Sequence, residues 1–307
     1  MTLADAKKKI VADLTPCSPS PQLDADCILQ WIFDCDRTRL LLRRNDMLSD
    51  VQEKAVSEAL EKRKTGFPIA YITGKKEFFG LDFYVTPAVL IPKPDTEILV
   101  EKAIEAILEK QAARPGQILT ICDMCTGSGC VGLSILHSLE EINSSRNIPR
   151  ENLPHLTCAD ISREALSIAE TNASRLLPAR LDRIRFVQSN LFEQIPHTFD
   201  IIVTNPPYVP HTEALSLLQD GRSEPLLALD GDVTDSGDWS GSEDGLSLIR
   251  RLIPQAVSKL APRGILLMET GEYNAEETAG LFSQAGLHRV RIERDLSGQM
   301  RDVIGEK

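Results

Sequence analysis

The stretch from Ile118 to Gly132, Ile-Leu-Thr-Ile-Cys-Asp-Met-Cys-Thr-Gly-Ser-Gly-Cys-Val-Gly, limits what this chain can fold into more than any other. It passes from a β-branched apolar run through Gly127-x-Gly129-x-x-Gly132 into helical periodicity, the pattern of a buried strand that turns sharply into a helix. Glycines at this spacing let backbone approach a nucleotide-like ligand closely, although a tight strand-to-helix turn needs them even with nothing bound. The surroundings extend the pattern. Strands are predicted at 118–123, 156–160, 184–189, 199–204, 264–269, 288–294 and 301–305, with helices near 129–140, 162–176, 245–260 and 274–285. Strands alternating with helices give βαβ units, hence an α/β fold with a seven-stranded, mostly parallel, Rossmann-like sheet.

The chain is 307 residues long, and the part before the sheet reads differently. Leu23, Cys27, Ile28, Trp31 and Ile32, then Val51, Ala55, Val56, Ala59 and Leu60, recur at helical spacing, with Ser49 placed to cap a helix. About four helices are expected there. Phe78 to Val85 is aromatic and β-branched around Gly80, a hairpin signature. Pro92 and Pro94 end it, and a helix follows from about Thr96 to Gln111, its first turn acidic where the helix dipole favours acids. The expected division is an all-α bundle over 1–73, a β-hairpin linker over 74–94 and the sheet domain over 95–307. Residues 230–244, acidic and rich in Gly and Ser, are expected to form a mobile surface loop.

Charge narrows the partners. The chain carries 34 basic and 45 acidic residues, net −11, and the acidity lies beyond Glu97, where 20 basic face 30 acidic side chains. Binding to nucleic-acid phosphates needs a basic footprint, so direct sequence-specific nucleic-acid binding is not expected. Arg37, Arg39, Arg43 and Arg44 with Lys62, Arg63 and Lys64 read as solvated helix surface, or at most a docking face. No apolar run reaches the ~18 residues of a membrane span and the amino-terminal region lacks a secretory apolar core, so a cytoplasmic, monomeric protein is expected. The seven cysteines are an odd number and read as reduced thiols. Cys122 and Cys125 have no second pair or nearby His to complete a zinc site, so no metal is expected.

Two further positions lie where predicted strands should leave the sheet on the side of the glycine turn. Asp160 can accept both hydroxyls of a ribose, a role that suits nicotinamide cofactors and S-adenosylmethionine alike. Asn205-Pro206-Pro207-Tyr208 follows the strand at 199–204. Its prolines fix the backbone; Asn205 offers a side-chain carbonyl, Pro206 a main-chain carbonyl and Tyr208 a ring face. Two acceptors beside a platform suit a planar NH₂ group. An amide nitrogen is a poor nucleophile because its lone pair is delocalised. Accepting both N–H bonds holds it towards an electrophile and stabilises the charge it gains as a methyl group arrives.

The tetrapeptide at 205–208, the Asp-x-x-Thr-Gly-Ser-Gly turn at 123–129 and Leu90-Ile91-Pro92-Lys93-Pro94-Asp95-Thr96-Glu97 together resemble the HemK-type glutamine-N5 methyltransferases, over nearly the whole chain. Ser223-Glu224-Pro225 to Gly231, Asp244-Gly245-Leu246 and Asp295 to Arg301 agree with that likeness. The resemblance implies a class I methyltransferase domain behind a helical substrate-recognition domain. It further implies transfer of a methyl group from S-adenosylmethionine, leaving S-adenosylhomocysteine, to the glutamine of the Gly-Gly-Gln motif in peptide-chain release factors. Carried over, the cofactor would touch Asp123, Cys125, Thr126, Gly127, Ser128, Gly129, Asp160, Asn190, Leu191 and Asn205. Asn205, Pro206, Pro207 and Tyr208 would bind the glutamine, with Asn205, Pro206 and Tyr208 catalytic. The chain departs from the family pattern at Cys125, where a glycine is usual, at Lys93 for Arg, at Asn190 for Asp, at Ser223 for an aromatic residue, and in its expanded 230–244 segment.

Three rival readings remain. Adenine-N6 methylation of nucleic acid uses a similar tetrapeptide on a flipped base, but the net charge of −10 beyond Glu97 opposes it. Glutamine methylation of a ribosomal protein keeps the chemistry and changes the target. A nicotinamide-dependent oxidoreductase would share the glycine pattern, but Asp160 lies 33 residues after Gly127, beyond the usual spacing of about 20.

Overall fold

The structure, a computed structural model, describes all residues except 147–148, 220–223, 235 and 296. The chain divides into two compact units, Met1–Lys75 with Ser216–Ser223, and Lys76–Leu215 with Glu224–Lys307.

The first unit is helical. It contains α1 (Leu3–Leu14), α2 (Pro21–Phe33), α3 (Arg37–Leu42), α4 (Asp50–Lys64) and a short α5 (Ile69–Thr73) that the sequence reading did not anticipate. Ser49 caps α4 as expected, its hydroxyl accepting from the Gln52 N–H while the Gln52 side chain accepts from the Ser49 N–H. The faces carrying Ile10, Leu14, Ile28, Leu29, Val56 and Leu60 meet in one apolar core. Arg63 corrects one expectation. It is not free surface charge but forms a part-buried pair with Asp24, Nε to Oδ2 2.7 Å, and also donates to the carbonyls of Gly66 and Phe67. A guanidinium drawn inside needs every donor satisfied, and those carbonyls supply the acceptors.

The hairpin is β1 (Lys75–Phe78) and β2 (Leu81–Tyr84), joined through Phe79 and Gly80, both at positive φ. After a 3₁₀ turn at Pro94–Thr96 come α6 (Glu97–Ala113), β3 (Thr120–Met124), α7 (Cys130–Ser145), β4 (His155–Asp160) and α8 (Arg163–Leu176). Then follow β5 (Ile184–Gln188), β6 (Phe199–Thr204), α9 (His211–Gln219), α10 (Ser247–Lys259), β7 (Leu260–Glu269), α11 (Ala275–Gln284), β8 (His288–Arg294) and β9 (Met300–Glu306). The seven strands β3 to β9 make one sheet in the order β5-β4-β3-β6-β7-β9-β8. Six point the same way, and β9 runs against them, pairing antiparallel with both β7 and β8. The strand order reverses between β3 and β6, and the crevice beyond the carboxyl ends there is where open α/β sheets take ligands.

The 230–244 segment differs from expectation. Asp230 and Asp232 are buried rather than solvated. Asp232 accepts from the Gly245 N–H at 2.8 Å, the Ser247 hydroxyl at 3.2 Å and the His211 N–H at 3.4 Å. His211 also bonds Asp230 through Nδ1 at 2.6 Å and stacks on Trp239. These acids serve as internal acceptors that fasten the segment, a role composition alone does not distinguish from solvated charge.

Asp302, on β9 opposite Glu269 of β7, is wholly buried, and neither carboxyl oxygen has a hydrogen-bond partner among the described residues. Burial first, and the neighbouring Glu269 second, push its carboxyl up from 3.8 to about 8. The folded state therefore holds a proton that the unfolded chain releases, and this contribution to stability fades as pH rises from about 4 to about 8. Asp302→Asn carries no such proton, so it should be more stable than the native protein at pH 9 by about 1–2 kcal/mol, with a smaller gain at pH 6. Chemical denaturation at both pH values checks this, and an equal gain at the two would contradict it.

Candidate active site

The carboxyl ends of β3, β4, β5 and β6 surround a cavity of about 290 Å³. Asp123, Cys125, Thr126, Gly127, Ser128, Asp160, Asn190, Leu191, Asn205 and Pro207 all line it. Gly129, Pro206 and Tyr208 do not. Gly129 begins α7 and faces Leu133 and Ala169, where a Cβ would come within 2.9 Å of Leu133 Cδ1. Pro206 is buried, and the Tyr208 hydroxyl turns away to Glu269.

The turn is built around two acids. Buried Asp123, near the end of β3, accepts through Oδ2 from the Thr126 hydroxyl at 2.6 Å and the Gly132 N–H at 2.9 Å. A Cβ on Gly132 would meet that oxygen at 2.9 Å, so the third glycine exists for close packing. Burial pushes the Asp123 carboxyl up to about 7, while its two donors pull the other way. Asp160 accepts from the Gly127 N–H at 2.9 Å on one oxygen and the Ser162 N–H at 2.9 Å on the other. Burial raises its pKa and these N–H groups oppose the rise. One lone pair on each oxygen stays available for a further donor.

Cys125 stands at φ +59° and Gly127 at +53°, both left-handed. The turn thus carries a Cβ where glycine would be unstrained, at a cost of order 1 kcal/mol. Gly127 is different, since a Cβ there would meet nothing within 4 Å. Its glycine leaves open space on the cavity wall rather than room for a protein neighbour, which fits a ligand lying against the turn. Burial pushes the thiols of Cys122, Cys125, Cys130 and Cys158 up, so they stay protonated. No His, Cys, Asp and Glu cluster suited to a metal occurs among the described residues.

Asn205 leaves β6 with its Nδ2 donating to the Thr96 hydroxyl at 3.2 Å. Tyr208 donates its hydroxyl to Glu269 Oε1 at 3.1 Å, and its own carbonyl accepts from Asn274 Nδ2 at 3.2 Å. Gly245, at φ +72°, packs so closely that a Cβ would lie 2.0 Å from that carbonyl oxygen. Lys93 pairs with buried Glu224 at 2.8 Å, and Glu224 also accepts from the Ile91 N–H. Ser223 and Leu296 lie outside the described residues.

Sequence reasoning missed Thr96, Glu269 and Gly245 as parts of this site. Thr96 sits in the 90–97 segment quoted for the resemblance, and Glu269 is a lone acid closing an otherwise apolar strand, which is a signal in itself. Gly245 lies in the Asp244-Gly245-Leu246 segment quoted for the resemblance, but its contact with Tyr208, distant in sequence, could not be read there.

A Rossmann-like sheet whose ligand crevice holds this glycine turn and a carboxylate on the next strand is the arrangement of the class I methyltransferases. The hMettl16 catalytic domain in complex with a MAT2A 3′UTR hairpin shares the fold, with a TM-score of 0.51 at 15% identity over 84% of this chain and 82% of that one. Family models match as the PrmC N-terminal domain over residues 5–74 and as the methyltransferase small domain over 99–220. The release factor glutamine methyltransferase of Moorella thermoacetica is 36% identical over 92% of this chain and 89% of that protein. The one of Haemophilus influenzae is 33% identical over 96% and 95%. The chain belongs to the release factor glutamine methyltransferase family, and it is an enzyme. Among the described residues no helix is long and apolar enough to cross a membrane.

Proposed function

We propose that this enzyme transfers a methyl group from S-adenosylmethionine to the side-chain amide nitrogen of a glutamine, and that the glutamine is that of the Gly-Gly-Gln motif in a peptide-chain release factor. The observation that carries the reading is the cavity shared by the glycine turn, Asp160 and Asn205. It gathers the glycine turn, a carboxylate and a side-chain amide round one space, which supports adenosine at one end and a planar nitrogen at the other. The names borne by relatives of the whole chain support the release factor as target.

On this reading the open wall at Gly127 takes the donor, and the spare lone pairs of Asp160 accept ribose hydroxyls. Asn190 and Leu191 border the base. When bound, the donor supplies a methyl group made electrophilic by a sulfonium. Asn205 and the Pro206 carbonyl accept the two N–H bonds of the glutamine and hold its nitrogen in line with that methyl group. They also stabilise the positive charge the nitrogen gains, so no strong base is needed before transfer. Tyr208 anchors the backbone of the tetrapeptide through Glu269.

Incubating the enzyme and S-adenosylmethionine with a release factor should add 14 Da, one methylene equivalent, to the tryptic peptide holding Gly-Gly-Gln, as read by mass spectrometry. A release factor left unmodified while a ribosomal protein or an adenine gains the methyl group would overturn the reading.

A further inference from the structure

On the reading above, the glycine turn, Asp160, Asn190 and Leu191 are taken up by the donor. Much of the remaining cavity wall is then left for the chain that carries the glutamine, and it comes from two segments far apart in sequence, residues 87–93 and residues 225–228. Apart from Lys93, the side chains they give to the cavity are all proline, alanine, valine or leucine. Such a surface recognises backbone and small side chains by shape, so it serves only while the two segments keep a fixed separation. Pro87, Pro92 and Pro225 fix φ within each segment but not the distance between them.

Glu224 sets that distance. It is 7% exposed, and its Oε1 accepts from Lys93 Nζ at 2.8 Å and from the Ile91 N–H at 3.2 Å, on partners 131 and 133 residues away. The residue after Glu224 is Pro225, so the two bonds hold one wall to the root of the other. A buried carboxylate is stable there because the ammonium compensates its charge; without Lys93 that compensation is lost and the carboxylate is drawn towards water. The Lys93 ammonium is in turn committed to Glu224, and its neighbours along the wall are apolar.

We propose that Lys93 and Glu224 are positioning residues that clamp residues 87–93 to residues 225–228 and so preform the part of the cavity that receives the protein substrate beside its glutamine. The inference deepens the glutamine reading and rests on it. Both side chains act through the walls they hold, not on the reacting atoms. A wall ordered beforehand spares the substrate the cost of ordering it, so the clamp is felt in substrate binding.

Lys93→Met keeps the length of the side chain and removes its charge. It should raise the KM for a release factor about fivefold, with kcat and the dissociation constant of S-adenosylmethionine each within about twofold of native. The bonds that hold the glycine turn, Asp160 and the Asn205 amide involve neither the Lys93 nor the Glu224 side chain. Hydrogen exchange at the Ile91 amide should quicken in the same variant, because its acceptor is no longer held, and Lys93→Arg should restore both KM and exchange. Glu224→Gln, which can still accept from Ile91, should raise KM to a similar extent, and the double variant should be no worse than either single one, since the pair acts as a unit. A raised KM with unchanged exchange at Ile91 would mean that Lys93 meets the substrate directly and would overturn the proposal. So would an unchanged KM in Lys93→Met, or a double variant whose KM rises by the product of the single effects. A native enzyme that leaves the release factor unmethylated would instead bring down the glutamine reading, and this inference with it.

Discussion

Asn205→Ala should lower kcat about 10²–10³-fold, equivalent to about 3–4 kcal/mol of transition-state stabilisation, while changing the dissociation constant of S-adenosylmethionine less than about fivefold. The asymmetry follows from where Asn205 stands. Its side chain leaves β6 at the cavity and, among the described residues, is tied back only to Thr96. The turn and Asp160, by contrast, are held by bonds from Thr126, Gly132, Gly127 and Ser162, none of which involves Asn205. Removing the amide therefore takes away an acceptor for the nucleophile and leaves the proposed adenosine end intact. Calorimetric titration of the donor beside single-turnover methylation separates the two quantities. Near-native turnover would refute the role given to this side chain.

The second large effect is structural. Gly245→Ala should cost about 3 kcal/mol or more of folding free energy and depress turnover with it. Its new methyl group would lie 2.0 Å from the Tyr208 carbonyl oxygen, and the backbone there holds φ +72°. Gly241→Ala provides the matched control. It lies in the same region at φ +85°, but nothing lies within 4 Å of its Cβ, so it should show only the backbone cost, about 1 kcal/mol. Thermal or denaturant unfolding of the pair isolates the steric part. Equal losses would show that the close approach of Gly245 to the tetrapeptide relaxes at no cost.

Strand β6 was legible because a buried parallel strand leaves a near-continuous apolar run in sequence, and the run expected at 199–204 is β6 as found. The partly exposed edge strands β5 and β8 match 184–189 and 288–294 to within a residue. Boundaries failed where local propensity points one way and pairing another. Strand β7 starts at Leu260, four residues before the expected 264, although Pro262 lies inside it. The helix α9 was not anticipated at all, its nine residues being too few for a clear period. At the site, the residues that could be named in advance were those whose type carries the chemistry: the glycines, Asp160 and the 205–208 tetrapeptide. What escaped were the partners. That Asn205 bonds Thr96, Tyr208 bonds Glu269 and Arg63 bonds Asp24 depends on pairs between 39 and 109 residues apart, which no local pattern encodes. The acids of 230–244 make the same point. Asp232 and the exposed Asp238 look alike in sequence, and only the N–H groups gathered round the first distinguish them.

The placing of β9 inside the sheet, between β7 and β8, makes the joining of β8 to the sheet depend on β9. When β8 first emerges from synthesis it has no neighbour to join, because the position beside β7 is reserved for a strand not yet made. A short connection lets β8 and β9 pair at little entropic cost. Glu269 and Asp302 are brought face to face by the pairing of β9 with β7. The acid that holds the Tyr208 hydroxyl therefore takes part of its surroundings from β9.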